Sequence, residues 1–208
     1  MRNDELQTLG EAYAFIGNTL LSTMDATGAA GLEPASWQQF PCFDDDGVRA
    51  AVETLEAFAR EAADRVQAGE DVSQSVSVEF TRLFVGPKAP QAAPWETAYS
   101  SASPTVGFGQ ATFRMRDALR RAGLEVSNEN NQYADHMGLE LLLLSVLCKR
   151  EAAGEVIDGM EAASFAADFP LPWVGAFADA VHEAAPGGYY DLIVRLAAAL
   201  LEMHTARG

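Results

Sequence analysis

The stretch EFTRLFVGPKAPQAAPWETAY, residues 79–99, joins the end of an apolar helical pattern to a proline-rich loop. Proline lacks a backbone N–H and restricts the residue before it, so a helix does not continue through such a segment. We therefore expect a loop over residues 85–106. A loop of this length in a helical chain is usually either functional or disordered, and its many aromatic and few charged residues favour a function. The prolines concerned are Pro87, Pro90, Pro94 and Pro104.

The rest of the chain has the apolar spacing of an all-α protein. Apolar residues recur at three- and four-residue steps, and Gly69, Gly123 and Gly154 follow three of the periodic segments. No strand-like alternation competes with this pattern. We expect a single domain over residues 1–208, a bundle of about eight to ten helices with short connections apart from the 85–106 loop. The main predicted helices cover residues 3–23, 47–68, 72–84, 108–122, 131–153, 155–168, 173–184 and 189–205.

Composition excludes several classes of function. The net charge is −16, which makes nucleic acid a poor partner, because phosphate binding requires clustered Lys and Arg. No apolar run reaches the ~18 residues of a membrane span, so we expect no stable membrane insertion. The N-terminal segment lacks the features of a signal peptide, which favours a cytoplasmic protein. The acidic surface either serves solubility or attracts basic ligands.

One polar cluster could carry chemistry. His136 and Glu140 lie four residues apart, on one face of a predicted helix, and Asp135 precedes them. A metal-dependent hydrolase using these three residues is a weak alternative, because a zinc site on a helix normally supplies two histidines. A hydrogen-bonded polar pair, Asp135 and His136, that attaches the helix start to the loop explains the pattern as well. Ligand binding by the same pair stays open.

The aromatic residues of the opening stretch allow two interpretations. Phe80, Leu83 and Phe84 have helical spacing, which is more typical of a core than of a groove. Trp95, next to Pro94 in the loop, is less readily explained as core. It either covers the core or lines a hydrophobic groove of the kind that accepts extended or helical peptides.

Three segments together closely resemble a known family. They are EFTRLFVGP (79–87), APWETAYSS (93–101) and ADHMGLELLLL (134–144). In this order they are similar to the motifs of the TorD/DmsD family of redox-enzyme maturation chaperones, with Thr97 where the family usually has serine. The similarity extends over roughly residues 10–203.

The resemblance implies a cytoplasmic chaperone that is not an enzyme and has no cofactor of its own. Such proteins bind the twin-arginine leader and the apo form of a molybdopterin oxidoreductase until its cofactor is inserted, before export. An alternative is a NarJ-like assembly factor for a non-exported oxidoreductase subunit. A monomer and a domain-swapped dimer both stay open. The resemblance assigns the peptide-binding surface to Phe80, Leu83, Phe84, Pro94, Trp95, Tyr99, Asp135 and His136.

Overall fold

A computed structural model describes residues 1–24, 28–86, 88–99, 109–125, 132–157 and 159–208. These residues form one helical domain, which confirms the all-α prediction, and their only β-pairing is a single bridge between Trp95 and His136. Short 3-10 segments cover Gly28–Leu32 and Glu96–Ala98. Within the described ranges nine α-helices occur: α1 (Asn3–Leu21), α2 (Pro34–Gln38), α3 (Asp46–Gln67), α4 (Val72–Phe80), α5 (Gln110–Arg121), α6 (Met137–Ala152), α7 (Ala162–Asp168), α8 (Leu171–Ala184) and α9 (Tyr189–Arg207).

Helices α1 and α6 approach each other unusually closely, because glycines lie at their contact. A Cβ atom placed on Gly17 would lie 2.8 Å from the carbonyl oxygen of Gly138, and one on Gly138 would lie 2.7 Å from the oxygen of Gly17. Only residues without a side chain allow the two backbones to come this near. Helix α6 is buried over most of its surface, as its nearly continuous apolar sequence predicted.

Aspartate side chains cap the starts of α3 and α4. The backbone N–H of Val48 donates to Asp45 Oδ1 at 3.0 Å at the start of α3. The N–H of Gln74 donates to Asp71 Oδ1 at 2.9 Å at the start of α4. Aspartate is a favoured residue at this position, since its short acidic side chain satisfies the unpaired N–H groups of a first turn.

The prediction of one helix over residues 72–84 was only partly right. Helix α4 ends at Phe80, and the chain continues as one π-helical turn, Thr81–Val85. Gly86 closes this turn with φ 62°, and its N–H donates to the Thr81 oxygen at 2.7 Å. Beyond it, residues 88–95 form no helix; Pro87 and the 100–106 part of the predicted loop lie outside the described residues.

Three other predicted boundaries were wrong. Helix α6 begins at Met137 and not at residue 131, which lies outside the described residues, and its N-cap is His136. Helix α7 begins at Ala162 and not at residue 155. Helix α8 begins at Leu171, because Pro172 is accommodated in a first turn, where its missing N–H costs no hydrogen bond.

One apolar side chain of α3 lies outside the core. Val66 continues the apolar spacing of this helix in the sequence, but its side chain is 56% exposed near the end of the helix. None of the helices in the described ranges is both long and apolar enough to span a membrane. Cys42 and Cys148 are free cysteines.

The first residue of the opening stretch anchors the last helix. Glu79 Oε1 accepts a hydrogen bond from the backbone N–H of Tyr190 at 3.0 Å, in the first turn of α9. A Cβ on Gly188 would lie 2.6 Å from Glu79 Oε2, so a larger residue there would require this carboxyl to move. Burial raises the pKa of Glu79, and the hydrogen bond from Tyr190 opposes that effect. The stretch is therefore fixed to α9 at its beginning.

The close contact between α1 and α6 is testable by a glycine substitution. We expect Gly17→Ala to lower the free energy of unfolding by about 1–3 kcal/mol, because its methyl group would collide with backbone that cannot move aside. Gly175→Ala is the matched control. Gly175 lies in α8, and a Cβ placed on it would meet no atom within 4 Å, so this change should stabilise the protein by about 0.5–1 kcal/mol. Urea denaturation of both variants measures the difference, and equal effects would contradict the packing described.

Candidate functional site

The opening stretch and the Asp135-His136 pair, which sequence analysis grouped together, are in direct contact. Trp95 and His136 form the antiparallel bridge noted above. On one side of it, the N–H of Glu96 donates to the Asp135 carbonyl oxygen at 3.0 Å. On the other side, the N–H of Met137 donates to the Pro94 oxygen at 2.9 Å. Backbone hydrogen bonds therefore hold the loop against the start of α6.

The Asp135 side chain joins three parts of the chain. Its carboxylate is fully buried. Oδ2 accepts hydrogen bonds from the backbone N–H of Thr97 at 3.1 Å and from the Thr97 hydroxyl at 2.8 Å, and Oδ1 accepts from the Thr112 hydroxyl at 2.7 Å. A buried charge is tolerated only when such bonds compensate its lost hydration. Asp135 thus connects the loop and α5 to the start of α6.

His136 caps α6 through its imidazole ring. Nδ1 accepts a hydrogen bond from the N–H of Gly138 at 3.0 Å, so this nitrogen carries no proton and the neutral ring has its proton on Nε2. Burial lowers the pKa of His136 to about 3, which keeps the ring neutral at physiological pH. The ring lies edge-on to Trp95, with centroids 5.9 Å apart. This geometry agrees with the interpretation of Asp135 and His136 as a hydrogen-bonded polar pair that attaches the start of the helix to the loop.

Three of the predicted site residues belong to the core. Phe80, Leu83 and Phe84 are at most 6% exposed. The Phe84 ring centroid lies 5.2 Å from that of Tyr190 and 5.9 Å from that of Phe177. These side chains therefore pack within the hydrophobic core. Pro94 is buried as well.

Trp95 and Tyr99 are the predicted site residues with a partly exposed surface. The Tyr99 ring stacks on Trp173 of α8 with centroids 5.7 Å apart and planes at 21°. The Trp95 ring packs against Tyr133 with centroids 6.0 Å apart. The Trp95 indole N–H is buried and has no hydrogen-bond partner among the described residues. A buried donor of this kind carries an energetic cost until an acceptor reaches it.

Glu140 lies fully buried beneath this surface. Its Oε2 accepts a hydrogen bond from the indole N–H of Trp173 at 3.0 Å, and its Oε1 has no partner within the described residues. Burial, followed by the negative charges of Glu96 and Asp135, raises the pKa of Glu140 well above its ordinary value. Its surroundings therefore favour the protonated form of the carboxyl. Sequence reasoning missed Thr112 and Trp173 as partners of these carboxyls, because both contacts form only through tertiary folding.

The hydrolase alternative lacks a set of metal ligands. In the described part of the chain, no group of three or more His, Cys, Asp or Glu residues is placed to hold a metal ion. His136 Nδ1 accepts a hydrogen bond from the backbone, and the surroundings of Glu140 favour its protonated form. The three hydrogen bonds that the Asp135 carboxylate accepts come from threonines.

A separate apolar groove lies between α1 and the α2 region. It has a volume of about 280 Å³. Phe15 and Trp37 form part of it, with ring centroids 5.7 Å apart, and Glu11 is its acidic member. This groove shares no residue with the surface around Trp95.

Comparisons with known proteins place this site in context. A family model described as nitrate reductase delta subunit matches residues 44–179. The chain is 27% identical over 124 residues to the Tat proofreading chaperone DmsD of Salmonella typhimurium, which covers 60% of this chain and 57% of the relative. It is 26% identical over 147 residues to the chaperone protein TorD of Vibrio cholerae, covering 68% and 66%. It is 30% identical over 163 residues to the chaperone protein TorD of Aeromonas salmonicida, covering 76% and 70%. The chain thus spans less than two thirds of the length of the first two relatives.

The hydroxyl donors of Asp135 generate a first prediction about the site. We expect Thr112→Val, which replaces the hydroxyl by a methyl group of similar size, to lower the unfolding free energy by about 1–3 kcal/mol, because Asp135 Oδ1 loses its partner. Thr54→Val is the control, since Thr54 is exposed on α3 and its hydroxyl bonds only to its own helix. Chemical denaturation compares the two variants. A Thr112→Val protein as stable as the Thr54→Val protein would contradict the role given to Asp135.

The raised pKa of Glu140 generates a prediction about pH. In the unfolded chain a glutamate ionises above about pH 4.5, whereas the raised pKa keeps folded Glu140 protonated to a higher pH. Wild-type stability therefore falls by up to about 1.4 kcal/mol per pH unit above pH 4.5 until the folded pKa is reached. Glu140→Gln cannot ionise and keeps an acceptor for Trp173. Its stability relative to wild type should therefore increase from pH 4 to pH 8.

Unfolding free energies measured at pH 4, 6 and 8 test this dependence. Glu11→Gln, an exposed change on α1, controls for the loss of one negative charge. A Glu140→Gln difference that does not vary with pH would show that the buried carboxyl is ionised.

Proposed function

The chain belongs to the nitrate reductase delta subunit family, which includes the TorD and DmsD chaperones, and from this premise we propose that it is a cytoplasmic chaperone of redox-enzyme assembly. Its partners are the twin-arginine leader and the apo form of a molybdopterin oxidoreductase. It holds the apoenzyme until cofactor insertion and before export. It is not an enzyme, carries no cofactor of its own, and binds neither nucleic acid nor membrane stably. Residues 1–208 act as one domain.

The observation that carries the proposal is the contact between two motif segments distant in sequence. The loop bearing Trp95 pairs with the segment bearing Asp135 and His136 through backbone hydrogen bonds. Two aromatic side chains, Trp95 and Tyr99, remain partly exposed beside this contact. A partly exposed aromatic pair on a rigid support suits the apolar middle of a leader peptide, since burial contributes about 25 cal/mol per Å² of apolar area before ordering costs are subtracted.

The eight assigned residues have two roles in this proposal. Trp95 and Tyr99 contact the peptide. The other six support them from below: Phe80, Leu83, Phe84 and Pro94 by packing, and Asp135 and His136 by hydrogen bonding. The burial of these six residues supports this division, because a side chain with almost no exposed surface reaches a ligand only after the chain opens.

Charge supports the same partner. The chain has 30 acidic and 14 basic residues, whereas a twin-arginine leader is basic at its start. Opposite net charges accelerate encounter, and this effect declines as salt increases. The charge therefore favours a basic peptide over an acidic one.

A second candidate is a NarJ-like assembly factor for a non-exported oxidoreductase subunit, which the description of the matching family supports. The two candidates differ in what they bind. A leader-binding chaperone loses its client when the leader is deleted, whereas an assembly factor retains the enzyme subunit. Co-purification of the full and the leader-deleted client distinguishes them. Either could act as a monomer or as a domain-swapped dimer, which sedimentation analysis separates.

The aromatic surface generates a prediction about binding. We expect Trp95→Ala and Tyr99→Ala each to weaken the binding of a twin-arginine leader peptide by about tenfold or more, because each removes a large apolar contact at the centre of the surface. Helical content, measured by circular dichroism, should stay at the wild-type level. Isothermal titration calorimetry with the full chain gives the affinities.

Val66→Ala is the control, since Val66 is an exposed apolar residue at the far end of α3. It should leave the affinity unchanged. Wild-type affinity in both aromatic variants would refute the site assignment. Asp135→Ala is a less clean test, because loss of this buried carboxylate lowers stability together with binding.

A further inference from the structure

We propose that Glu96 is the carboxylate that receives an arginine side chain of the leader, and that Arg114 occupies this position in the free protein as an internal competitor. This inference rests on the proposed function and specifies how its site recognises a guanidinium group. It assigns a role to two residues that the family motifs do not relate to each other.

Asp135, the acidic residue of the assigned site, is not available to bind an arginine. Its carboxylate is fully buried and already accepts three hydrogen bonds, from the Thr97 N–H, the Thr97 hydroxyl and the Thr112 hydroxyl. A peptide arginine that reached it would have to displace these bonds and enter the core. The negative charge nearest to the surface of the site belongs instead to Glu96, the residue after Trp95.

Glu96 and its neighbours form a guanidinium site. Arg114 Nη2 lies 3.3 Å from both carboxylate oxygens of Glu96 and donates to the backbone oxygen of Asp168 at 3.2 Å. The guanidinium carbon of Arg114 lies 4.7 Å from the ring centre of Phe169. A carboxylate, a carbonyl oxygen and an aromatic face are the groups that bind a guanidinium, through hydrogen bonds, charge and cation–π attraction. The carboxylate comes from the loop, the carbonyl oxygen from Asp168 at the end of α7, and the aromatic face from Phe169, the residue after α7.

Glu96 requires a cation at this position. It is 9% exposed, and Asp135 lies close enough for its negative charge to repel that of Glu96. Burial raises the pKa of Glu96, and Arg114 opposes that effect. A partly desolvated carboxylate of this kind is costly without a positive partner, so departure of Arg114 favours entry of another cation.

Arg114 is a weak occupant of this site. The Arg114 side chain is 43% exposed, against 11% for Glu96, so Arg114 can turn out into water while Glu96 stays in place. One nitrogen is shared between both oxygens at 3.3 Å, whereas strong guanidinium–carboxylate pairs use two nitrogens at about 2.7–2.9 Å. A peptide arginine arriving from outside can present both nitrogens. A lysine cannot, since its ammonium lacks the planar fork and the flat face.

The test measures leader binding to three full-length proteins by calorimetry: wild type, Arg114→Ala and Arg120→Ala. Arg120 is an exposed arginine of the same helix that pairs with Asp117, so its loss changes the net charge equally. We expect Arg114→Ala to bind the leader about three- to fivefold more tightly than Arg120→Ala, the effect of removing a partly exposed competing ion pair. Equal affinities of the two variants would overturn the competition.

A second comparison concerns Glu96 and needs no change at Arg114. The wild-type protein should prefer a leader with two arginines over the same peptide with two lysines. Glu96→Gln should weaken binding of the arginine peptide by about tenfold and remove most of this preference. A preference that survives in Glu96→Gln would place arginine recognition elsewhere. If Arg114→Ala does not fold, Arg114→Lys, which keeps the charge without the planar fork, replaces it in the first comparison.

A probe without any peptide separates this inference from the proposed function. N-ethylguanidinium should raise the thermal unfolding midpoint of Arg114→Ala more than that of Arg120→Ala, because it refills the vacated site, and ethylammonium should not. Equal shifts would overturn the guanidinium site itself. If wild type binds no leader at all, the proposed function fails; if it binds leader while the variant comparisons fail, only this inference fails.

Discussion

The buried carboxylate of Asp135 is the constraint on which the site depends. A fully buried charge must recover its hydration energy through hydrogen bonds, and Asp135 recovers it from two threonines on separate parts of the chain. Satisfying this one group therefore fixes the loop and α5 relative to the start of α6. The bridge between Trp95 and His136 follows from that placement. So does the position of Glu96, whose N–H bonds to the Asp135 backbone.

Gly138 couples this polar centre to the core. Its N–H is the group that His136 caps, and its backbone lies against Gly17 of α1. The contact between α1 and α6 thus lies next to His136, the residue that pairs with the loop. The aromatic surface therefore rests on a closely packed part of the molecule, and pre-organised contact groups lose less entropy on binding a flexible peptide.

Periodicity and capping residues were sufficient to predict the all-α class and most helices, because an amphipathic helix repeats its signal every turn. They placed the start of α6 wrongly, since a capping histidine is a weaker signal than an asparagine. The proximity of Trp95 to Asp135 followed from motif resemblance. Their hydroxyl partners did not, because Thr112 meets Asp135 only through tertiary folding. The sequence does not distinguish Arg114 from the other arginines of α5, yet Arg114 pairs with Glu96 across the site. Thr97 in place of serine leaves the chemistry intact, since both residues offer a hydroxyl.

The central claim is that the surface formed by the loop and the start of α6 receives the leader peptide. Hydrogen–deuterium exchange of the full chain, with and without a twin-arginine leader peptide, tests it most directly. The account predicts slower exchange on binding within residues 88–99, 132–137 and 165–177, with little change in α1 and α2. Protection confined to the α1–α2 groove, or its absence throughout at saturating peptide, would contradict the account.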